Sequence, residues 1–588
     1  MWTRKQKRNG RTRLFVRTVA QLLAIALLLF AAGCGSDNGA ADGGTVHDNA
    51  SEPTTAPISE TTDTPLQDSE LEGDSLEDAE TGENDDFLYT ISDNQVIITG
   101  YWGPDAEFEV PSTIEGYPVT AIGNAAFSFR SDLTQVTLPD SVVAIGDGAF
   151  YYCSALTSVD LGANVRVIYE DAFYDCENLT SVEMGDKVQI IGDSAFSNCA
   201  RLTSIDLGDS VQIIGTRAFE GCSSLSSISL DSNMVYNVGE FAFAETAWYD
   251  NQPNGQVYLG TCLIGYKGSE PSGALVIKDG TTAVADRAFE DCSDITSVTV
   301  PDSLLGVGTL SFTWCTAFDS FAIPDGMLYI GYGAFYGCIS LKNVEIPNSV
   351  QVLGDFAFGS CNSLTAIEVG GNNGYYTSVD GVLFNKDRTE LIQYPPSKPD
   401  LSYEVPSSVL TIVDSAFAEG QVLEQVIIPS SVSVIEQRAF SDCDSLVEAV
   451  LPRGITSIED MAFFACNSLS SITIPDTVTR IGEDAFSSCS ALTEITIPDS
   501  VTSIDRNAFS NCWELTSVTI SAGVTSIGEE AFIYCTSLTE VTFEGTPPSI
   551  GENVFDSDIT LYYPAAYAHL WAPNGETEWN GYRIEQRG

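Results

Sequence analysis

The chain has 588 residues, and its 82 acidic side chains outnumber 25 basic ones, which gives a formal net charge of −57 at pH 7. This surplus of negative charge repels phosphate groups and argues against a role on nucleic acid or on an anionic membrane surface. Only two histidines occur, His47 and His569. Their positions exclude a Ser-His-Asp or Cys-His catalytic arrangement, and a mixed Cys/His zinc site, between residues 48 and 568.

The first 33 residues have the pattern of an export signal. They contain seven Lys or Arg, no acid, and the apolar run "LLAIALLLF" followed by small residues. The run ends in "LFAAGC", which resembles a bacterial lipobox, where the cysteine receives a diacylglycerol and becomes the first mature residue. We therefore predict a signal peptide over residues 1–33 and lipidation at Cys34. An ordinary secretory signal or an uncleaved anchor is the alternative, and all three place the remaining chain outside the cytoplasm.

Residues 34–86 are predicted to form an acidic, disordered tether. Residues 35–86 contain 16 Asp or Glu and no Lys or Arg. A segment of this composition cannot bury enough apolar surface to offset the conformational entropy that folding costs.

The rest of the chain is a repeat. A phenylalanine, usually preceded by alanine, recurs mostly every 23 residues, and repetition at a fixed period indicates a solenoid. The repeat phenylalanines are Phe127, Phe150, Phe173, Phe196, Phe219, Phe243, Phe289, Phe312, Phe335, Phe358, Phe417, Phe440, Phe463, Phe486, Phe509, Phe532 and Phe555.

One unit predicts how each coil closes. Residues 469–474 alternate like a short strand, and Pro475 ends it because proline has no N–H to donate to a ladder. Phe486 and Cys489 are three residues apart, which predicts one helical turn that carries both inward. The fold class is therefore a β-rich repeat solenoid of about 23-residue strand, turn and short-helix coils.

Breaks in the period define the domain boundaries. We predict N-terminal cap strands at 87–110, repeats at 111–369 with an insertion at 247–268, a second insertion at 370–405, repeats at 406–556, and a C-terminal cap at 557–588. Both insertions carry hairpin signals, Asn254-Gly255 in the first and Asp380-Gly381 in the second.

The repeats resemble a known family. "IGDSAFSNCARLTSIDL" and "IPDTVTRIGEDAFSSCSALTEITIP" are similar to the BspA-like class of bacterial leucine-rich repeats, and both insertions resemble inserts of that class. The resemblance covers roughly residues 87–588. It implies a leucine-rich-repeat surface or secreted protein, and it implies binding or adhesion, although a solenoid specifies a scaffold and not a ligand.

Thirteen of the 15 cysteines follow a repeat phenylalanine by three residues. Equivalent positions in stacked coils point in parallel, which disfavours disulfides, and no Cys-x-x-Cys spacing supports a zinc site. We therefore predict a buried row of free thiols and no metal site.

Two surfaces are candidates for binding. Along the strands, the single outward position between the last two apolar residues carries acids in five units, Asp160, Glu183, Asp206, Glu345 and Glu368, and threonine in the last four. Stacked like charges repel unless solvent or a cation screens them, so the row is a solvated face, an adhesive face or a Ca²⁺-assisted one.

The second candidate surface is the aromatic residues of the insertions, because loops on rigid scaffolds often carry recognition. The chief candidates are Trp248, Tyr249, Tyr375, Tyr376 and Tyr394. Some of these rings are expected to cover the interrupted core instead.

Together these features predict a non-catalytic, lipid-anchored protein of the bacterial cell surface that binds an extracellular protein or glycan. It needs no cofactor, and the alternative is Ca²⁺ bound at the acidic strand face. The competing interpretations are a glycan-active or hydrolase-like surface protein and a purely structural envelope component.

Overall fold

The computed structural model describes residues 80–84, 86–230, 235–556 and 558–587. The predicted signal peptide, Cys34 and most of the predicted tether lie outside the described residues. The described chain forms two compact units, residues up to 267 with 282–286, and residues 268–281 with 287 onward. Each unit is a solenoid of stacked coils, which confirms the predicted fold class.

Most coils contribute one strand to a ladder that we call the front ladder, and the coil at Phe321 contributes only an isolated bridge to Val298. Most of these strands follow the repeat cysteine and its leucine, and they pair in parallel, without crossing over, within six separate sheets. In the first unit the front ladder consists of Glu107–Glu109, Gln135–Thr137, Ser158–Asp160, Ser181–Glu183, Ser204–Asp206 and Ser227–Ser229. In the second unit it consists of Gly273–Val276, Ile295–Thr299, Asn343–Ile346, Ala366–Val369, Ser402–Glu404, Gln425–Ile427, Glu448–Val450, Ser471–Ile472, Glu494–Ile497, Ser517–Ile520, Glu540–Phe543, Thr560–Pro564 and Tyr582–Arg587.

A second parallel ladder, the side ladder, precedes each repeat phenylalanine. In the first unit its strands are Tyr117–Ile122, Ala144–Ile145, Val167–Ile168, Ile190–Ile191, Ile213–Ile214, Asn237–Val238 and Ala283–Val284. In the second unit they are Gly306–Val307, Tyr329–Ile330, Val352–Leu353, Thr411–Ile412, Val434–Ile435, Ser457–Ile458, Arg480–Ile481, Ser503–Ile504, Ser526–Ile527 and Ser549–Ile550. The strands are short because only two or three residues per coil run straight before the chain turns.

The third side of each coil, which we call the turn side, runs from two residues before the repeat phenylalanine to two residues after it. It is a series of β-turns and not the short helix that the spacing predicts. The N–H groups of Ala195, Ser197 and Cys199 bond within their own coil, whereas those of Ser194, Phe196 and Asn198 bond to the next coil. Every second residue of the turn side therefore forms a hydrogen bond to the next coil. An α-helix could not form these bonds, because its N–H groups point along its own axis.

Two residues per coil take left-handed backbone conformations to make these turns. They lie two before and two after the repeat phenylalanine, as Ser194 (φ 53°) and Asn198 (φ 61°) do around Phe196. Glycine, asparagine and aspartate adopt the left-handed conformation most readily, whereas bulky side chains are sterically strained in it.

The core of each unit is a column of rings. The repeat phenylalanines stack with centroids 4.8 Å apart for Phe127 and Phe150 and 5.4 Å apart for Phe219 and Phe243, with planes within 5°. A column in the second unit starts at Tyr394, whose ring stacks 5.1 Å from Phe417 and which takes the position of a repeat phenylalanine. Residues from Tyr394 onward therefore belong to a coil, and the second insertion ends earlier than the predicted residue 405.

Hairpins open three of the side-ladder segments. At the N-terminus Glu80–Glu83, Phe87–Ser92 and Gln95–Tyr101 pair antiparallel, and the last of them then pairs in parallel with Tyr117–Ile122. The strand Glu80–Glu83 lies inside the predicted tether, so the cap begins before the predicted residue 87. A short strand, Thr113–Ile114, also pairs antiparallel with Tyr117–Ile122.

The two insertions repeat this arrangement. The first holds a short helix, Ala247–Asp250, and the hairpin Gly255–Leu259 and Cys262–Lys267, whose second strand pairs in parallel with Ala283–Val284. Its turn lies between these strands and not at Asn254-Gly255. The second holds Tyr376–Val379, Val382–Asn385 and Glu390–Gln393, with the predicted turn at Asp380-Gly381, and the third strand pairs with Thr411–Ile412.

The C-terminal cap closes the second unit. Its strands Thr560–Pro564 and Tyr582–Arg587 extend the front ladder, and Glu578–Trp579 pairs antiparallel with the second of them. Between them lie a 3-10 turn, Ala565–Tyr567, and a short helix, Ala568–Trp571, which buries Trp571.

Candidate functional site

The predicted acidic row lies on the front ladder. In each strand the middle side chain is buried, as Val159, Val182 and Ile205 are, so the flanking positions face outward. Asp160 and Glu183 are register neighbours in adjacent strands, and parallel strands bring such neighbours to about 4.8 Å. Asp206 stands opposite Ser229 in the next sheet of the same unit. Glu183 and Asp206 are exposed, and Asp160 is half-buried.

Two of these acids also shape turns. Asp160 Oδ1 accepts a hydrogen bond from the Gly162 N–H at 2.9 Å, and Asp206 Oδ1 accepts one from the Gly208 N–H at 3.2 Å. Both glycines have positive φ, so these aspartates help to end the strand. A structural reason for aspartate at these two positions therefore exists beside any role in binding.

In the second unit the acidic row is short. Glu345 and Glu368 are register neighbours and both are exposed. Beyond Glu368 the hairpin of the second insertion lies against the strand, since the Ile367 N–H donates to Gly381 O at 2.9 Å and Ser378 Oγ donates to Glu368 Oε2 at 3.0 Å. The continuous acidic surface that the repeat predicts is thus interrupted by the insertion.

The threonines of the last units form their own row. Thr496, Thr519 and Thr542 are in register in adjacent strands. Arg587 closes this row, because its guanidinium donates to Thr542 Oγ1 at 3.1 Å and lies 3.7 Å from the ring centre of Tyr562.

The acids do not assemble into a metal cage. No group of three or more His, Cys, Asp or Glu side chains that could hold a metal ion occurs in the part of the chain that the structure describes. Ca²⁺ usually takes six to eight oxygen ligands. Uptake of Ca²⁺ by the acidic row therefore stays a prediction, in which solvent or a partner must supply most ligands.

The insertion aromatics serve mostly as core, which corrects part of the prediction. Tyr394 is 1 % exposed and belongs to the ring column, so it cannot contact a ligand. Trp248 and Tyr249 are half-buried and pack on the core, with the Trp248 ring 5.2 Å from Phe243. Tyr376 is half-buried and its hydroxyl accepts the Leu353 N–H at 2.9 Å, whereas Tyr375 is 48 % exposed and remains a candidate.

A group of aromatic residues that the repeat pattern does not single out lies on the turn side of the first unit. Phe129 and Tyr152 both occupy left-handed positions, with φ 60° and 58°, and both are exposed. Aligning the coils on their phenylalanine would have revealed them, since the same position holds Asp175, Asn198 and Gly221 in the next three coils.

The thiols form an inward row, as predicted. All fourteen cysteines of the described chain are free and buried. Twelve of the thirteen in the row donate their S–H to the carbonyl oxygen of the preceding coil's phenylalanine, as Cys199 Sγ does to Phe173 O at 3.3 Å. At this point cysteine supplies a small buried side chain that donates to the neighbouring coil, which gives the recurring residue a structural role.

Comparison with known proteins agrees with this geometry. The model of the BspA type leucine-rich repeat region matches residues 120–249, 273–398, 401–476 and 459–563. These segments cover most of the chain. The chain belongs to the BspA-type leucine-rich-repeat family.

Several solved structures are similar to this BspA-type chain. A leucine-rich cell surface protein from Faecalibacterium prausnitzii is 26 % identical, with 79 % of this chain and 95 % of that chain covered and a TM-score of 0.33. A leucine-rich-repeat protein from Bacteroides ovatus is 19 % identical, over 86 % and 100 %, with a TM-score of 0.26. The pneumococcal vaccine antigen PcpA is 17 % identical, over 87 % and 99 %, with a TM-score of 0.31. No curated protein matches the chain.

The BspA-type array contains no spanning segment in residues 80–84, 86–230, 235–556 and 558–587, where no helix has the length and apolar character needed to cross a bilayer.

We expect the thiols of this BspA-type array to resist modification in the folded protein. Burial raises the pKa of the Cys153 thiol to about 12 and that of Cys292 to about 11, so little thiolate exists at pH 8. Cys292 is the most accessible of the row and should react first. With Cys34 set aside, a chromogenic thiol reagent should therefore modify at most one site in the native state and fourteen after denaturation. Cys292→Ser should abolish the native reaction, whereas a loss of titratable thiols to disulfides would contradict the free row.

Proposed function

We propose that this protein is anchored to the bacterial surface through a lipid on Cys34 and binds an extracellular protein or glycan through its front ladder. The export-type N-terminus supports the location, and the resemblance to a cell surface protein agrees with it. The solenoids of this family are generally non-catalytic and act as binding scaffolds, and the chain's sparse histidines agree with that.

The observation that carries the proposal is the acidic row of the first unit. Asp160 and Glu183 are register neighbours in paired strands, and Asp206 lies on the next front-ladder strand, which belongs to a separate sheet of the same packed unit. Like charges on paired strands about 4.8 Å apart, as at Asp160 and Glu183, repel each other and cost stability unless something outside the chain offsets them. A partner that presents cations or hydroxyl groups along an extended surface would do so.

The test compares binding by two sets of neutralised variants. The first set is Asp160→Asn, Glu183→Gln and Asp206→Asn together, and the matched control is Glu177→Gln, Asp186→Asn and Asp209→Asn, exposed acids outside the row. Panels of immobilised matrix proteins and glycans should capture the native protein and the control, and the first set should lose at least tenfold in affinity. Equal binding by both sets would rule out the front ladder, and running each assay with Ca²⁺ or a chelator decides whether the cation takes part.

The anchor is tested separately with Cys34→Ala. The native protein should incorporate a labelled fatty acid and sediment with membranes, and the variant should do neither. Turnover of any glycan by the purified protein would favour the hydrolase-like interpretation instead.

A further inference from the structure

Four aromatic side chains form a cluster on the turn side of the first unit, which we call the aromatic cluster: Phe129, Tyr151, Tyr152 and Tyr174. Phe129 and Tyr152 are stacked, with centroids 5.6 Å apart and planes 13° apart. Tyr151 and Tyr174 are stacked at 5.1 Å and 15°. Tyr151 is inclined at 71° to Phe129 and at 59° to Tyr152, so the two pairs meet at a steep angle.

Folding alone does not account for the two outermost rings. Phe129 is 68 % exposed and Tyr152 41 % exposed, so each keeps much of its apolar surface in water. Each also occupies a left-handed backbone position, where a bulky side chain is strained. Glycine or asparagine serves at the same place in other coils, as Gly221 and Asn198 do. An exposed ring and a left-handed backbone conformation are both unfavourable, and they occur together at equivalent positions of two adjacent coils. This combination indicates that the surface is selected for a function.

A carboxylate stands beside the rings. Asp175 follows Tyr152 at the equivalent position of the next coil, and the hydrogen bond from the Tyr152 hydroxyl, together with the charge of Asp175, raises the pKa of Tyr152 to about 12. Asp171 lies at the other end of the same turn side. The surface thus combines aromatic faces with negative charge, on a chain whose net charge is −57.

Elsewhere in the same unit, an aromatic ring and a carboxylate of the turn side contact an arginine of the chain. Phe241 is an exposed aromatic residue in a left-handed turn-side position, with φ 58°. The guanidinium of Arg217 lies 5.5 Å from its ring centre and pairs with Glu220 at 3.4 Å. An aromatic ring and a carboxylate of the turn side therefore already bind an arginine within the chain.

The arginine nearest to the aromatic cluster in sequence makes its contacts elsewhere. Arg130 follows Phe129 directly, but its guanidinium lies 4.7 Å from the ring centre of Tyr101. It also donates to Tyr101 O and Gly103 O, both at 3.0 Å, and pairs with Asp132 at 2.9 Å. This arginine is committed to the N-terminal cap.

We propose that the aromatic cluster with Asp175 binds an arginine-rich segment of a partner protein, in the way that Phe241 and Glu220 bind Arg217. Cation–π contact with the rings and an ion pair with the carboxylate supply the attraction. The negative field of the chain steers a cationic segment toward the surface. This surface is separate from the front ladder and does not depend on the function proposed for it.

The test uses full-length protein and a short arginine-rich peptide, with a glutamine analogue of equal length as the uncharged probe. Binding is followed by calorimetry and by tyrosine fluorescence. The double variant Phe129→Gly with Tyr152→Gly removes both exposed rings, and it should fold because glycine suits both left-handed positions. Trp314→Gly is the matched control, an exposed aromatic residue with φ 58° in the second unit.

We expect the native protein and Trp314→Gly to bind the arginine peptide and ignore the glutamine analogue. The double variant should lose at least tenfold in affinity while its melting temperature stays the same or rises. Asp175→Asn should weaken binding and reduce its dependence on salt. The proposal is overturned if the native protein does not bind, if the double variant binds as well as the native protein, or if neutral oligosaccharides bind the cluster and the peptide does not.

Discussion

Replacing Phe486 with alanine is expected to lower the free energy of unfolding of the second unit by about 3–5 kcal/mol. The ring is fully buried and stacks between Phe463, at 5.4 Å, and Phe509, at 5.2 Å. Its removal leaves a cavity that the coils cannot close, because the Phe486 N–H is bonded to Ala508 O of the next coil and fixes the spacing.

The measurement is urea denaturation followed by circular dichroism. In a repeat array each coil contacts mainly its neighbours, so the damage should be local and the single transition should broaden or split in two. Trp513→Ala, which truncates an exposed aromatic residue of the same region, is the control and should change stability by less than about 0.5 kcal/mol. If the two variants were equally stable, the ring column would not be the main support of the fold.

Replacing Trp571 with alanine should detach the C-terminal cap, at a cost of about 3–5 kcal/mol. Trp571 is 2 % exposed, its ring lies 4.9 Å from Phe543 and 4.8 Å from Trp579, and its Nε1–H donates to Gly545 O at 2.9 Å. Without the indole, the end of the front ladder loses its cover and its edge is open to pairing with other chains.

Amide hydrogen exchange is the measurement for this variant. Protection should fall in Glu540–Phe543 and Thr560–Pro564 and persist in coils far from the cap, such as the strand Gln425–Ile427. Leu570→Ala is the matched control, because Leu570 is the neighbouring residue on the same short helix and is 46 % exposed. Uniform loss of protection along the whole unit would show that the cap supports global stability instead of closing one end.

The sequence predicted the period and the inward thiols because both repeat a pattern that burial imposes. It predicted a helical turn on the third side because Phe486 and Cys489 are three residues apart, and a helix and a pair of β-turns share that spacing. The distinguishing signal was the residues at the left-handed positions, where Asn507, Asn511 and Gly221 occur. Gly, Asn and Asp at both places favour turns over helix.

The candidate sites were harder to predict, because the exposure of a side chain depends on whether the residue occupies an inward position of a coil or lies in an insertion. Tyr394 looked like an insertion aromatic because the repeat was aligned on phenylalanine, and its hydrogen bond to Ala416 O shows that it is the ring of a coil. Phe129 and Tyr152 lie two residues after a repeat phenylalanine, and the repeat pattern does not single them out. Their significance comes from backbone conformation, which spacing alone does not reveal.

The alternating hydrogen bonds of the turn side have a consequence for how such a gene changes. The backbone donors of the turn side bond within their own coil and to the next coil, and other donors bond to the preceding coil, as Thr180 Oγ1 does to Thr157 O across 23 residues. Because these bonds connect only neighbouring coils, none of them depends on the total number of coils in a ladder. An in-frame duplication or deletion of one repeat therefore preserves every class of contact, and the exposed rows can lengthen or shorten in steps while the hairpins and caps stay fixed.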